Sequence, residues 1–196
     1  DYQNTIAKIS YGSRNDVRLG LAHYQKIAPR LGLHVAGNYH RNDGFFRNSY
    51  TGKKADDLQS ANAKVGLAWQ AAPLWTMRLN VLFDHSTQGG YPYGLYHADD
   101  NTAEAVNYNR YSSYRRNVLS AGMNWLYKGE AFHFNAQTSF QHSKDKQYID
   151  QDFMPRDLFF TITGLKQTLV SQEFTLRSAN NDCRYHWITG AFGFFQ

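Results

Sequence analysis

The chain has 196 residues and a formal net charge of +5, and its Lys and Arg are scattered without a basic stripe, which argues against a nucleic-acid partner. No stretch reaches the run of about 20 apolar residues that a membrane helix requires. The 14 Tyr, 13 Phe and 4 Trp are nevertheless many for a soluble domain, and the apolar residues are spread thinly. This composition is typical of a transmembrane β-barrel, in which only every second strand residue faces lipid.

Alternation of apolar and polar residues recurs along the chain and predicts about nine strands, with no convincing helical segment. The clearest case alternates Trp75, Met77, Leu79, Val81 and Phe83 with mostly polar neighbours. The predicted strands are, in chain order, Thr5–Tyr11, Val17–Ile27, Leu31–His40, Asn62–Trp69, Trp75–Asp84, Leu119–Tyr127, Phe132–Gln141, Thr168–Arg177 and Tyr185–Phe195. Strands of about ten residues are long enough to cross a bilayer when they are tilted.

The predicted connections alternate between short turns and long polar loops. The short turns fall at Ala28–Arg30, Ala71–Pro73, Lys128–Glu130 and Ser178–Cys183. The long loops fall at Arg41–Gln59, Ser86–Tyr114 and Ser143–Gly164. Bacterial outer-membrane barrels have this asymmetry, with tight periplasmic turns and long extracellular loops.

Aromatic residues gather beside the short turns. They are Trp69, Trp75, Trp125, Tyr127, Phe132, Tyr185 and Trp187. We expect these rings to lie at one depth and to form the girdle that meets the periplasmic headgroups. The preference of aromatic residues for strands explains their presence but not this clustering.

Several motifs, in their order along the chain, resemble the barrel of TonB-dependent receptors. An Asp-Gly-aromatic-aromatic-x-Asn stretch at Asp43–Asn48 is followed by Thr51-Gly52, as in an outward loop of that family. The strand Lys64–Trp69 then leads through Ala-Ala-Pro to Leu74-Trp75, and Gln88–Gly94 resembles the start of the next family loop. The pair Ser171–Arg177 and His186–Gly190 resembles a later hairpin.

The resemblance implies an all-β, antiparallel transmembrane barrel in the outer membrane of a Gram-negative bacterium. It also implies import of a scarce nutrient, with a ferric siderophore preferred and cobalamin, haem and glycan left open. Family members carry a plug domain through which the TonB energy-coupling protein acts, and this plug is absent from residues 1–196. Because single-chain bacterial barrels have an even number of strands, we expect about nine strands to be an interior part of a 22-stranded barrel.

The long loops hold the predicted ligand-binding residues. Tyrosine offers a flat apolar face with a polar tip, and arginine offers a fork for anionic groups, so together they suit an iron–siderophore complex. The predicted contacts from the loop after the fifth strand are Tyr91, Tyr93, Tyr96, Tyr108 and Arg110. Phe45, Phe46 and Arg47 form a second candidate wall.

Two other classes of function remain open at this stage. An outer-membrane protease could use Asp84, Asp99, Asp100 and His142, and a phospholipase would need Ser139 or Ser143 in reach of His142. A soluble carbohydrate-binding β-sandwich would bury Trp75, Met77, Leu79 and Phe83 against a second sheet.

The sequence favours neither a catalytic site nor a cofactor. His85 follows Asp84, but adjacent strand residues point to opposite faces, so the two do not form a pair. Asp99 and Asp100 are a weak candidate for Ca²⁺, and we predict no metal site. Cys183 is the single cysteine, which excludes an internal disulfide.

Overall fold

The computed structural model describes residues 3–179 and 185–196, which are almost entirely antiparallel strand. The strands are β1 (Asn4–Gly12), β2 (Asp16–Ala28), β3 (Leu31–Asn42), β4 (Leu58–Ala72), β5 (Trp75–Gly89), β6 (Tyr96–His97), β7 (Thr102–Ala103), β8 (Ser113–Lys128), β9 (Phe132–Asp150), β10 (Phe160–Ser178) and β11 (Ile188–Phe195). A 3-10 turn lies at Ser13–Asn15. Within the described residues, no helix is long and apolar enough to cross a membrane.

Nine of these strands form one sheet, and each of the nine pairs with the next of the nine along the sequence. The order is β1-β2-β3-β4-β5-β8-β9-β10-β11, and the small hairpin β6–β7 lies apart, inside the β5–β8 connection. Every pairing is antiparallel, and β1 and β11 are the edges of the sheet. The nine predicted strands are therefore confirmed.

The register separates the sheet into two chemically different faces. Leu79 lies directly opposite Leu67 on one side and Met123 on the other, so the apolar alternations of β4, β5 and β8 share one face, which we call the apolar face. The opposite face, which we call the polar face, carries residues such as Arg78 and Asn80. Strand β11 departs from this pattern, because its Phe192 lies opposite Glu173 of the polar face.

The apolar face is not covered by a second sheet in the part of the chain that the structure describes. Trp75 is 37% exposed and Phe83 is 47% exposed on this face. A soluble β-sandwich would bury these side chains between two sheets, and the described residues do not bury them in that way. A contiguous apolar surface of this kind requires lipid or another apolar partner.

Five of the seven aromatic residues predicted to lie beside the short turns form one cluster, namely Trp69, Trp75, Trp125, Tyr127 and Phe132. The ring centroids of Trp75 and Tyr127 lie 5.0 Å apart, and Trp125 contacts both Trp69 and Trp75 at 6.3 and 6.4 Å. Phe132 extends the cluster to the next turn, 5.3 Å from Tyr127. These rings therefore lie at one level of the sheet, at the end where the connections are short.

The predicted long loop Ser143–Gly164 is wrong, because β9 and β10 each run for 19 residues and their connection spans only residues 151–159. The paired strands continue through Lys146, which lies opposite both Arg115 and Gly164. Period-two apolar alternation ends before the hydrogen-bonded ladder does, which is why the sequence pattern missed this part. The predicted turn Ser178–Cys183 lies mostly outside the described residues, as does Cys183.

Smaller boundary differences affect the other two long loops and the last strand. The first long loop spans residues 43–57, because β3 extends to Asn42 and β4 begins at Leu58. The second spans residues 90–112 and contains the hairpin β6–β7. Strand β11 begins at Ile188, so Tyr185–Trp187 precede it.

Candidate ligand-binding surface at the long-loop end

The three long connections pack on one another to form a compact cap at one end of the sheet. We refer to them as loop A (residues 43–57), loop B (residues 90–112) and loop C (residues 151–159). Their shared core consists of Ala55, Val106 and Tyr108, which are 0%, 6% and 1% exposed, with Phe153 of loop C packed against them. Each loop contributes an apolar residue, so the cap folds as one unit.

Hydrogen bonds between the loops fix this arrangement. In loops A and B, the Ser49 amide donates to the Val106 carbonyl at 2.7 Å and the Asn48 side-chain amide donates to the Tyr108 carbonyl at 2.7 Å. Between loops B and C, the Asn109 amide donates to the Met154 carbonyl at 3.2 Å. Loops tied together in this way lose little entropy when they bind a ligand.

The Asp-Gly-Phe-Phe motif of loop A forms a turn around the carboxylate of Asp56. The amides of Phe45 and Phe46 both donate to that carboxylate, at 2.8–3.0 Å. Gly44 has a φ of +72°, and a Cβ there would lie 2.2 Å from Asp56 Oδ1. This position therefore requires glycine. The turn leaves the Phe45 and Phe46 rings 70% and 50% exposed at the surface of the cap.

The predicted tyrosines of loop B occupy different environments. Tyr93 is 57% exposed and packs edge-on against Phe153, with ring centroids 5.2 Å apart. Tyr91 lies beside Tyr93 and its hydroxyl accepts from the Gln147 side chain. Tyr96 is 63% exposed on the hairpin β6–β7, and its hydroxyl donates to Asn101 at 2.8 Å.

Tyr108 does not present its ring to a ligand, contrary to the sequence prediction. Its side chain is almost fully buried in the loop core. Burial, reinforced by the charges of Asp150, Asp56 and Asp57, raises the pKa of Tyr108 to about 12. The hydroxyl therefore stays protonated at neutral pH, and the residue packs the three loops together.

Both predicted arginines already have partners within the cap. Arg110 forms an ion pair with Asp157 at 2.6 Å, and its guanidinium lies over the Phe160 ring, 5.0 Å from the centroid. The Arg47 guanidinium donates to the Gly52 carbonyl and closes the tip of loop A. An anionic ligand would have to share or displace these contacts.

Loop C adds two exposed apolar residues that the sequence analysis did not select. Leu158 and Phe159 are 56% and 67% exposed. Their amides donate to Asp152 Oδ2 at 3.0 Å, and the Met154 amide donates to Oδ1. Desolvation alone would raise the pKa of Asp152, but these three donors outweigh it and lower the pKa. Leu158 and Phe159 form an apolar run in a polar segment, and this feature of the sequence could have identified them.

A groove of about 560 Å³ lies on the polar face at the other, short-turn end. Its walls include Tyr24, which stacks on His34 with ring centroids 5.1 Å apart. Lys26, Arg30 and Arg78 also line it, so the groove is cationic. It is separate from the cap and represents the lumen side of the sheet in a barrel.

The candidate catalytic residues are not brought together. His142 lies on the apolar face and hydrogen-bonds Thr168 at 2.8 Å, whereas the neighbouring Ser143 points to the polar face. Asp100 accepts from the amide and hydroxyl of Thr102 in the hairpin turn. Across residues 3–179 and 185–196, no group of three His, Cys, Asp or Glu side chains has metal-binding geometry.

A pH-dependent contact joins loop A to the β1–β2 turn. Asn15 donates to Asp43 Oδ2 at 2.7 Å, and Lys54 lies 3.4 Å from the same atom. The hydrogen bond from Asn15, followed by Lys54 and Arg41, lowers the pKa of Asp43. Its contribution to stability is therefore full above the unfolded pKa of about 4 and disappears as pH falls through the lower folded value.

We expect hydrogen exchange in residues 13–15 and 43–54 to accelerate as pH falls below about 4, after correction for the intrinsic rate. The Asp43→Asn variant should show the fast exchange already at neutral pH, because its side chain carries no charge for Lys54. Equal protection of the two proteins at neutral pH would contradict this role for Asp43.

No family model matches the sequence, but solved structures match the fold. The ferric yersiniabactin uptake receptor FyuA from Yersinia pestis superimposes with a TM-score of 0.77 at 15% identity, over 96% of this chain and 30% of that chain. The ferric-catecholate import receptor Fiu from E. coli K12, in its open form, gives a TM-score of 0.65 at 13% identity, over 91% of this chain and 31% of that chain. The chain thus spans about a third of the length of these receptors. Its open nine-stranded sheet has the fold of part of a TonB-dependent receptor barrel.

Proposed function

We propose that this chain is part of the β-barrel of an outer-membrane receptor that imports a ferric siderophore by TonB-dependent transport. The observation that carries the proposal is the match of nearly the whole sheet to two receptors whose names state iron-complex uptake. The exposed apolar face supports a bilayer location, since such a surface is unfavourable in water.

In this proposal the cap binds the cargo and no chemistry occurs. Phe45, Phe46 and Tyr93 expose rings on the cap, and Leu158 and Phe159 of loop C are exposed apolar residues of the same cap. Aromatic faces suit the flat organic part of an iron chelate. Transport would then require a plug that occupies the lumen, contacts the cationic groove of the polar face and is pulled by the TonB protein.

The direct test is binding of iron complexes to the intact protein purified in detergent. We expect a ferric catecholate complex or ferric yersiniabactin to quench the protein's fluorescence with saturation. The Phe45→Ala, Phe46→Ala double variant should weaken this binding about tenfold or more, because buried aromatic contacts contribute strongly to affinity. Phe132→Ala is the control, since it removes an exposed ring from the opposite end of the sheet.

A second measurement is growth of iron-starved cells that lack the protein. Loss of growth on one ferric siderophore, restored by the wild-type protein, is the expected result. Saturable binding of cyanocobalamin or haem in place of every iron complex would show that the cargo is wrong. A protein that remains monomeric and folded without detergent would contradict the barrel itself.

A further inference from the structure

The three-residue turn between β1 and β2 holds an arginine in a conformation that arginine rarely adopts. Arg14 has a φ of +63° and Asn15 a φ of +50°, so both lie in the left-handed region. Asparagine tolerates this region because its short side chain can hydrogen-bond locally, whereas arginine is strained there. Such strain persists only where the surrounding structure holds the residue, and it is concentrated at ligand clamps and active sites. The strain at Arg14 therefore points to a role for this residue beyond the turn.

Contacts with loop A fix the position of Arg14. The Asp43 amide donates to the Arg14 carbonyl at 2.8 Å. Asn15 donates to the Asp43 carboxylate at 2.7 Å and accepts from the Tyr11 hydroxyl at 2.9 Å. The Arg14 guanidinium lies over the Phe45 ring, 5.5 Å from its centroid. The turn and loop A thus hold a cation against one of the exposed rings of the cap.

The Arg14 guanidinium has no anionic partner in the part of the chain that the structure describes. Arg14 is exposed, and none of the ion pairs includes it. Arg47 and Arg110, by contrast, both have partners within the cap. Asp16 is close to Arg14 along the chain, but Arg18 already binds its carboxylate through two hydrogen bonds of 2.9 and 3.1 Å. An anionic ligand can therefore bind Arg14 without breaking an ion pair of the protein.

A hollow of about 310 Å³ lies beside the Phe45 ring, at the long-loop end of β1 and β2. Its walls include Phe45, Arg18 and Ser13, the last of which precedes Arg14 in the turn. Arg18 and Tyr24 are separated by an even number of residues on β2, so both lie on the polar face. The polar face is the lumen side of the sheet in a barrel. The hollow therefore lies at the mouth of the proposed lumen, where a cargo that leaves the cap would pass.

We propose that Arg14, Phe45 and the hollow beside them bind an anionic aromatic group of the iron complex, of the catecholate type, and so select anionic complexes over neutral ones. The flat ring of the ligand would lie against the exposed part of the Phe45 ring, and its oxygens would accept hydrogen bonds from the fork of the Arg14 guanidinium. Such charge-assisted hydrogen bonds are roughly twice as strong as neutral ones. The inference rests on the proposed function, because it names the class of iron complex that the same cap binds.

The test compares an anionic and a neutral iron complex on the intact protein purified in detergent. We expect the wild-type protein to bind a ferric tris-catecholate at least about tenfold more tightly than a neutral ferric trihydroxamate, and salt to weaken only the former binding. Arg14→Asn should weaken tris-catecholate binding about tenfold and reduce its salt dependence, because the charge-assisted bonds are lost. The matched control is Arg156→Asn, which removes the same charge from an exposed position of loop C and should leave both affinities unchanged.

Hydrogen exchange of residues 13–15 and 43–57 separates ligand binding from a structural role of Arg14. Asparagine fits the left-handed region better than arginine, so Arg14→Asn should protect these amides as well as the wild-type protein does, or better. Loss of protection together with the lost affinity would overturn the inference, as would unchanged tris-catecholate binding or equal weakening of both complexes. If the wild-type protein bound no iron complex at all, the proposed function would fail together with this inference, whereas binding that does not depend on Arg14 overturns the inference alone.

Discussion

An arginine in place of Leu79 is expected to destabilise the protein in a bilayer by about 2–4 kcal/mol. Leu79 lies on the apolar face between Leu67 and Met123, four residues beyond Trp75 of the aromatic cluster. Four tilted strand residues rise roughly 10 Å, which places this side chain close to the bilayer midplane. A guanidinium at that depth must give up its water or reach a headgroup, and either costs free energy.

Asn80→Arg is the matched control, because it adds the same side chain one residue further along β5 on the opposite face. Asn80 lies between Gly66 and Gly122, so the polar face has room for a longer side chain. We expect a change below about 1 kcal/mol, as for most surface substitutions. The free energy of unfolding of both variants can be measured by denaturant titration in lipid vesicles. Equal effects of the two substitutions would contradict the assignment of the faces.

The strands of the sheet could be predicted from the sequence because each has one face that must be apolar. In β5 the alternation from Trp75 to Phe83 reports that requirement directly. The same reasoning failed beyond His142. There β9 and β10 continue past the apolar band, and Lys144 and Lys166 lie on the face that is apolar nearer the short turns. Hydrogen bonding between strands persists there without a pattern that a single sequence reveals.

The cap was harder to predict than the sheet, because its contacts join residues far apart in the sequence. Loop composition indicated Phe45, Phe46 and Tyr93 as ligand contacts, and their rings are exposed on the cap. It gave no reason to separate Tyr108, which is buried, from Tyr96, which is exposed. That distinction depends on how loop B folds over Ala55 of loop A. The role of Asp56 in holding the Phe45 and Phe46 amides likewise appears only in three dimensions.

A methyl group at Gly44 is expected to disable the cap while leaving the sheet intact. In the Gly44→Ala variant the new Cβ would meet Asp56 Oδ1 at 2.2 Å and the Asp56 carbonyl carbon at 2.7 Å. The carboxylate must move, and the amides of Phe45 and Phe46 then lose their acceptor. Because loop A would have to be reordered on binding, we expect affinity for the iron complex to fall at least about tenfold.

Gly52→Ala separates this effect from the general penalty of a left-handed residue. Gly52 has a φ of +68°, similar to the +72° of Gly44, but a Cβ there meets nothing within 4 Å. In both variants the left-handed conformation of the new alanine costs about 1–2 kcal/mol. Only Gly44→Ala also displaces the Asp56 carboxylate. Ligand titration together with hydrogen exchange of residues 43–57 measures both consequences. If the two variants lost affinity and protection equally, the clash with Asp56 would not be the cause of the loss. The shape of loop A would then depend on the backbone conformation at these glycines and not on the turn around the Asp56 carboxylate.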